Sequence, residues 1–358
     1  MKILLVRLRQ IGDVVFTTPA IRALHDRFPD AQISYVVEPA AVPVVEQNAL
    51  LAQVIVAPRA RGLQGLRRDF SLGRVLRANR YDIAIDFHGG PRASLLTWLS
   101  RAPVRIGYDV AGRRWMYTRV VGRPRALRAR HSVENQWDLL ESLGVAPSTP
   151  DTYPVEMPPN ADVAHGVTTR LAAAGVSPGD RLAVIHVSAG NPFRRWPIAS
   201  FGEVAGALVA RHRQVRVIIT SGPSEREAAG QVIANARDRL QSPDRARVLD
   251  CGDFSLSELR ALVDRAALYI GGDSGPMHIA ATSHVPMISL YGPTLPARSA
   301  PWRSAEWRSA AIEVQGLECR PCDQRVCAPG DFRCLLRIEP SEVIEMAERL
   351  VNLEASPI

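Results

Sequence analysis

The densest chemistry in this chain lies in Tyr269-Ile270-Gly271-Gly272-Asp273-Ser274-Gly275-Pro276-Met277-His278-Ile279-Ala280-Ala281. The order reads as a strand, a glycine-bearing turn, and a helix that opens on Ser274, Gly275 and Pro276. Free backbone N–H groups at a helix start, beside a residue with no side chain, form a cradle for phosphate oxygens. The helix dipole adds partial positive charge at the same place. A plain capped helix would account for Asp273 or Ser274 as its N-cap. It would not account for two glycines before the cap, or for His278 on the first turn. Phosphate binding is the stronger reading.

A second segment, Ser188-Ala189-Gly190-Asn191-Pro192-Phe193-Arg194-Arg195-Trp196-Pro197, also follows a strand. A small-residue loop from Ser188 into paired arginines suits a pyrophosphate, which needs both amide donors and fixed charge. A solvated loop with Trp196 packed on the core explains the same residues equally well. Asp13, after Gly12 and the first strand, reads either as an N-cap or as a general base for a hydroxyl. Four of the five cysteines, Cys319, Cys322, Cys327 and Cys334, fall together near the C-terminus. Four thiols so close could close a structural zinc site, although the second pair does not repeat Cys-x-x-Cys. Reduced packing cysteines are the competing account. No G-x-G-x-x-G follows any strand, which weakens a dinucleotide reading, and neither a P-loop nor G-x-S-x-G occurs.

These segments need elements to hold them. Strands are expected at 3–8, 33–37, 54–56, 83–86 and 104–106, with helices from about 14 to 27 and at 71–79, 93–99 and 132–143. A proline-rich stretch, 146–160, reads as a linker. Beyond it the alternation restarts, with strands at 182–186, 215–220, 247–249, 268–270 and 287–290 between helices. A last helix is expected over 340–353. Strands separated by helices of this length indicate parallel sheets covered on both faces. The expectation is two doubly wound α/β domains, 1–155 and 161–339, facing each other across a cleft lined by strand ends. The last helix is expected to pack back on the first domain.

The chain has 358 residues with 46% hydrophobic and 22% charged, an ordinary globular composition. No apolar run reaches the ~18 residues a membrane-spanning helix needs. Lys2, Arg7 and Arg9 interrupt the apolar stretch a signal peptide requires, so the expected location is the cytoplasm. The formal charge of +8 is unevenly placed. Residues 1–160 hold 22 Lys and Arg against 14 Asp and Glu, whereas residues 161–358 hold 22 of each. The excess peaks over 59–130, with 17 Arg against 4 Asp. Such a field attracts polyanions. Nucleic acid is disfavoured because the basic region lacks interleaved aromatics for stacking.

Taken together, the opening MKILLVRLRQIGDVVFTTPAIRAL, the segments IDFHGGPRASLL, VRIGYD, HSVENQWDLLESLGV, FRRWP, GGDSGPMHIAA and LYGPT, and the tail CRPCDQRVCAPGDFRCL resemble glycosyltransferase family 9, the lipopolysaccharide heptosyltransferases. The resemblance implies a GT-B fold, with acceptor on the N-terminal domain and nucleotide-sugar on the C-terminal one. It implies an inverting, metal-independent transfer from ADP-heptose to an anionic, lipid-linked core saccharide at the inner membrane surface. Asp13 matches the family's general base, and the Ser274 and Gly275 amides match its phosphate-binding turn, whose shape Asp273 and His278 hold. Arg194 stands where many members have a phosphate-contacting lysine, and Glu225 lies near a ribose-binding carboxylate. His88, Arg113 and Arg114 are the acceptor candidates. Two rival readings remain: a member using another nucleotide-sugar or acceptor, and a non-catalytic module that binds an anionic glycan.

Overall fold

The protein is described from a computed structural model covering residues 1–122, 130–187 and 189–351. It divides into two compact units, Met1–Pro158 and Pro159–Ile358, with the boundary inside the expected linker. The front of that linker is not free chain. Val155 and Met157 are buried, the Glu156 carboxylate pairs with Arg22 at 2.5 Å, and the Glu156 amide donates to Thr18 Oγ1 at 2.8 Å.

The first unit is built on six parallel strands: β1 (Lys2–Val6), β2 (Gln32–Val37), β3 (Leu51–Val56), β4 (Ile83–Asp86), β5 (Val104–Tyr108) and β6 (Arg119–Val121). Their order across the sheet is β3-β2-β1-β4-β5-β6. Ile3, Leu4, Leu5 and Val6 are all fully buried, as expected of a central parallel strand with both faces covered. Helices α1 (Ile11–Val15), α2 (Thr18–Arg27), α3 (Val42–Val45), α4 (Gly62–Ala78), α5 (Pro91–Leu99) and α6 (Ser132–Glu141) provide the cover. The expected helix from 14 to 27 is two helices. Pro19 has no amide hydrogen to continue the first one, so the chain turns at Thr17, which becomes the N-cap of α2.

The second unit repeats the plan with β7 (Arg181–His186), β8 (Val215–Thr220), β9 (Val248–Leu249), β10 (Ala266–Gly272), β11 (Met287–Tyr291) and β12 (Ser309–Glu313). The order, β12-β11-β10-β7-β8-β9, is the same doubly wound arrangement. Its helices are α7 (Ala161–Ala173), α8 (Ile198–Arg211), α9 (Arg226–Asp238), α10 (Leu256–Asp264), α11 (Gly275–Ala280), α12 (Pro296–Ser299), α13 (Arg333–Leu336) and α14 (Pro340–Val351). The placement expected for the last helix is corrected here. Val343, Ile344, Ala347 and Val351 of α14 belong to the core of the second unit with Val204, Leu208, Ile288 and Leu290. Its apolar stripe is therefore satisfied by its own domain, and residues 352–353 lie outside the described chain.

In both sheets the winding direction reverses at one place, between β1 and β4 and between β7 and β10. In such sheets ligands bind beyond the carboxyl ends of the strands at that reversal. The loops after these four strands carry most of the candidate residues.

Burial also sets a pH dependence. His186 ends β7, is 3% exposed, and lies with Nδ1 3.0 Å from Thr220 Oγ1. Burial pushes its imidazole down from the ordinary 6.5 to about 4. Between these values the unfolded chain takes up the proton first. This contribution to stability is therefore complete above pH 6.5 and drains away as the pH falls toward 4, by on the order of 3 kcal/mol. Urea midpoints at pH 7 and 4.5 should show the loss, and His186→Gln should remove part of it. A variant profile parallel to the parent's would sink the assignment.

Candidate active site

At the reversal of the first sheet, Arg7 follows β1 directly. One guanidinium nitrogen donates to the Phe87 carbonyl at 2.5 Å, and the other pairs with Asp13 Oδ2 at 2.5 Å. Asp13 is not the N-cap of α1; Gln10 is. Asp13 sits at the third helical position, and the same Oδ2 accepts the Gln10 amide at 3.2 Å in a capping box. Its other oxygen has no protein partner among the described residues, and the side chain is 38% exposed. A carboxylate held on one edge and open on the other can accept a proton from a bound hydroxyl.

The loop after β4 is fixed from beneath. Asp86, fully buried, accepts the amides of His88 and Gly89 at 2.9 and 2.8 Å, the Tyr117 hydroxyl at 2.6 Å and the Ser94 hydroxyl at 3.2 Å. Burial raises its pKa against the pull of these four donors. Gly90 lets the His88 ring lie close, since a Cβ there would stand 2.8 Å from it and the ring would have to shift. Burial, and then the charge of Arg7, pushes His88 down to about 4, so the imidazole is neutral at neutral pH. Its Nδ1 is buried without a hydrogen-bond partner among the described residues. Arg113 joins this loop by donating to the Gly89 carbonyl at 3.0 Å. Arg114 does not join it. It faces Asp109 at 3.7 Å with a side chain that is 71% exposed.

At the reversal of the second sheet, Ser188 lies outside the described residues. The chain beyond it makes a single 3₁₀ turn, Pro192–Arg194, that delivers Arg194 to the end of β10. Arg194 pairs with Asp273 Oδ2 at 3.0 Å and donates from Nε to Gln324 Oε1 at 2.7 Å. Asp273 also accepts the Thr294 hydroxyl at 2.6 Å and lies 3.5 Å from His278 Nε2. Burial works to raise the Asp273 carboxyl. The His278 hydrogen bond and charge, the Arg194 charge and the Thr294 hydroxyl outweigh it and hold the group below its ordinary value.

Ser274 occupies the N-cap of α11, yet its hydroxyl caps nothing: Oγ is buried and has no partner among the described residues. An uncompensated buried hydroxyl is costly unless a ligand completes it. Gly272 lets the neighbouring loop come close, since a Cβ there would stand 3.1 Å from the Arg194 carbonyl. The turn thus has close backbone, open donors and an arginine at its rim. Glu225 is also buried, held by Arg195 at 2.6 Å and by the Ser224 hydroxyl at 2.9 Å.

The four clustered cysteines line one cavity of about 30 Å³ with Phe193, Pro293 and Phe332. All are free thiols. The donor chemistry suits zinc, but no group of three or more His, Cys, Asp or Glu among the described residues is arranged as a metal-ligand set. The tail has another consequence: it carries Gln324, which also takes a hydrogen bond from Asn191 at 2.9 Å and so fixes the loop bearing Arg194.

Sequence reasoning missed Arg7, Asp86, Tyr117, Thr294 and Gln324. Only Asp86 left a local signal, an acid at a strand end followed by a Gly-Gly turn. The others meet their partners through the fold.

Two all-parallel, six-stranded doubly wound units, the first with a part-exposed carboxylate and the second with a glycine-bearing turn beside an arginine, have the architecture of a GT-B protein. Residues 69–331 match the model of "Glycosyltransferase family 9 (heptosyltransferase)", and the chain belongs to that family. It is 32% identical over 290 residues to lipopolysaccharide heptosyltransferase 3 of Escherichia coli, covering 79% of this chain and 81% of that protein. Its fold is shared with the glycosyl transferase family 9 protein of Veillonella parvula DSM 2008, at a TM-score of 0.81 and 24% identity over 99% of this chain and 97% of that one. It is also shared with the E. coli ADP-heptose lps heptosyltransferase II, at a TM-score of 0.78 and 20% identity over 98% and 99%.

Proposed function

We propose that this enzyme transfers a heptose from ADP-heptose to the inner core of lipopolysaccharide, with inversion at the anomeric carbon, in the cytoplasm at the membrane's inner face. The observation that carries the donor side is the Ser274 hydroxyl, buried and unpartnered beside Arg194 at the end of β10. Relatives named as lipopolysaccharide heptosyltransferases support the sugar and acceptor class, and a structural neighbour named for ADP-heptose supports the nucleotide.

In this reading Asp13 takes the proton of the acceptor hydroxyl through its open oxygen as that hydroxyl's oxygen attacks the anomeric carbon. The bond from that carbon to the diphosphate breaks, and ADP leaves with the electron pair. The charge developing on the diphosphate is met by the Ser274 and Gly275 amides, the Ser274 hydroxyl and Arg194, donors already in place before reaction. Glu225 faces the ribose. His88, neutral and held by the Asp86 network, contacts the acceptor together with Arg113.

Because fixed donors take the leaving group, transfer should persist in EDTA; full dependence on added Mg²⁺ would contradict this. Donor identity is tested by thermal shift with ADP-heptose and with UDP- and GDP-sugars, since a ligand of the native state raises its melting temperature. ADP-heptose should give the largest rise. A larger rise with a UDP- or GDP-sugar would overturn the donor assignment.

A further inference from the structure

The first two turns of helix α4 hold their large apolar residues away from the core. Its buried face is Gly65, Asp69, Gly73 and Leu76. The glycines allow close packing: a Cβ on Gly73 would stand 2.6 Å from Leu99. Asp69 is neutralised by Arg92 at 2.8 Å. Leu63, Leu66 and Phe70 are instead 76%, 50% and 48% exposed. With about 100° of rotation per residue, these three lie within ~60° of the helix circumference. Arg67, Arg74 and Arg77 fall on the same flank, within a sector of ~100°. None of these arginines has an ion-pair partner among the described residues.

We propose that α4 docks on an anionic phospholipid surface, with Leu63, Leu66 and Phe70 entering the boundary between headgroups and acyl chains. Arg67, Arg74 and Arg77 engage lipid phosphates from the same flank. The charge pattern selects this occupant. A protein partner would have to supply an acidic group for each of three guanidiniums standing among the apolar side chains, or leave a charge buried and unpaired. A bilayer leaves each guanidinium in the wet headgroup layer while its apolar neighbours sink below. The domain's positive excess peaks over residues 59–130, the stretch that contains this helix, so long-range attraction and local contact have the same sign. The placement deepens the reading above, resting on it only in that a lipid-linked acceptor is met at such a surface.

The test is co-sedimentation of the full chain with vesicles of phosphatidylglycerol and phosphatidylethanolamine, against phosphatidylcholine alone. The parent protein should bind the anionic vesicles and be released by raised salt. Leu63→Ser/Leu66→Ser/Phe70→Ser should lower partitioning roughly tenfold or more. Arg67→Gln/Arg74→Gln/Arg77→Gln should lower it on the order of a hundredfold. All six residues are exposed, so melting temperature and turnover on a detergent-dispersed acceptor should hold in both variants. No binding of the parent to anionic vesicles, or equal binding by the apolar triple variant, overturns the proposal. Neither result depends on the transfer reaction. Vesicle binding by a protein inactive with every heptose donor would defeat the function and leave the docking surface standing.

Discussion

Asp13→Ala should lower kcat by roughly 10³-fold, within the range that removal of a general base produces, while ADP affinity stays within about twofold. The separation is expected because Asp13 belongs to the first unit and the phosphate turn to the second. Stability should fall by more than the ~1 kcal/mol of a lost cap, because the carboxylate both accepts the Gln10 amide and pairs with Arg7, which is only 12% exposed. Asp13→Asn is the sharper variant. Its amide oxygen can keep the Gln10 contact, but it cannot take a proton, so kcat should fall almost as far with the helix start preserved. Near-normal turnover in either variant would remove Asp13 as the base. A loss of ADP affinity matching the loss of kcat would make its role one of positioning.

Arg194→Ala should cost roughly 10² to 10³ in kcat/KM, as removal of a single fixed donor to a developing oxyanion does. ADP should bind more weakly as well. Arg194→Lys tests the geometry: it keeps the charge but cannot span Asp273 and Gln324 with one planar group, so it should recover part of the loss. The alanine variant leaves Asp273 3% exposed without its cation. Thr294 and His278 remain as partners, so the destabilisation should fall below the ~3–5 kcal/mol typical when one member of a buried pair is removed. Assays run well below the melting transition separate this from the catalytic effect. Activity within about threefold of the parent would show that the leaving group is met elsewhere, since a lost oxyanion donor costs far more.

Elements with strong periodicity were legible before any fold was known. Strand β8 and the start of α10 fall where alternation and the capping residues place them, and both sheets are parallel as the strand–helix spacing implies. Helix α4 was half hidden. Its first two turns put Leu63, Leu66 and Phe70 on the solvent side and bury Gly65 and Asp69, so the usual apolar stripe is absent there. The edge strands β6 and β12 escaped notice because they are short and mostly lack full burial.

The site shows the same division. The sequence by itself determined the chemistry available at each strand end: a Gly-Gly-Asp-Ser-Gly turn, a lone Asp after the first strand, and paired arginines after β7. These are local properties, encoded by neighbours that share one turn or one helix start. Only the tertiary structure decided which of these groups are partnered and which stay open. Arg7 reaches Phe87 across 80 residues, Arg194 meets Gln324 across 130, and α14 seals its own domain rather than the first. Such pairings leave no periodic trace, because a guanidinium's partner is chosen by where the packed core happens to bring a carbonyl or an amide. The same packing leaves one edge of Asp13 and the Ser274 hydroxyl without partners among the described residues. Whether a polar group is open to substrate is a property of burial and partners, and those exist only in the folded chain.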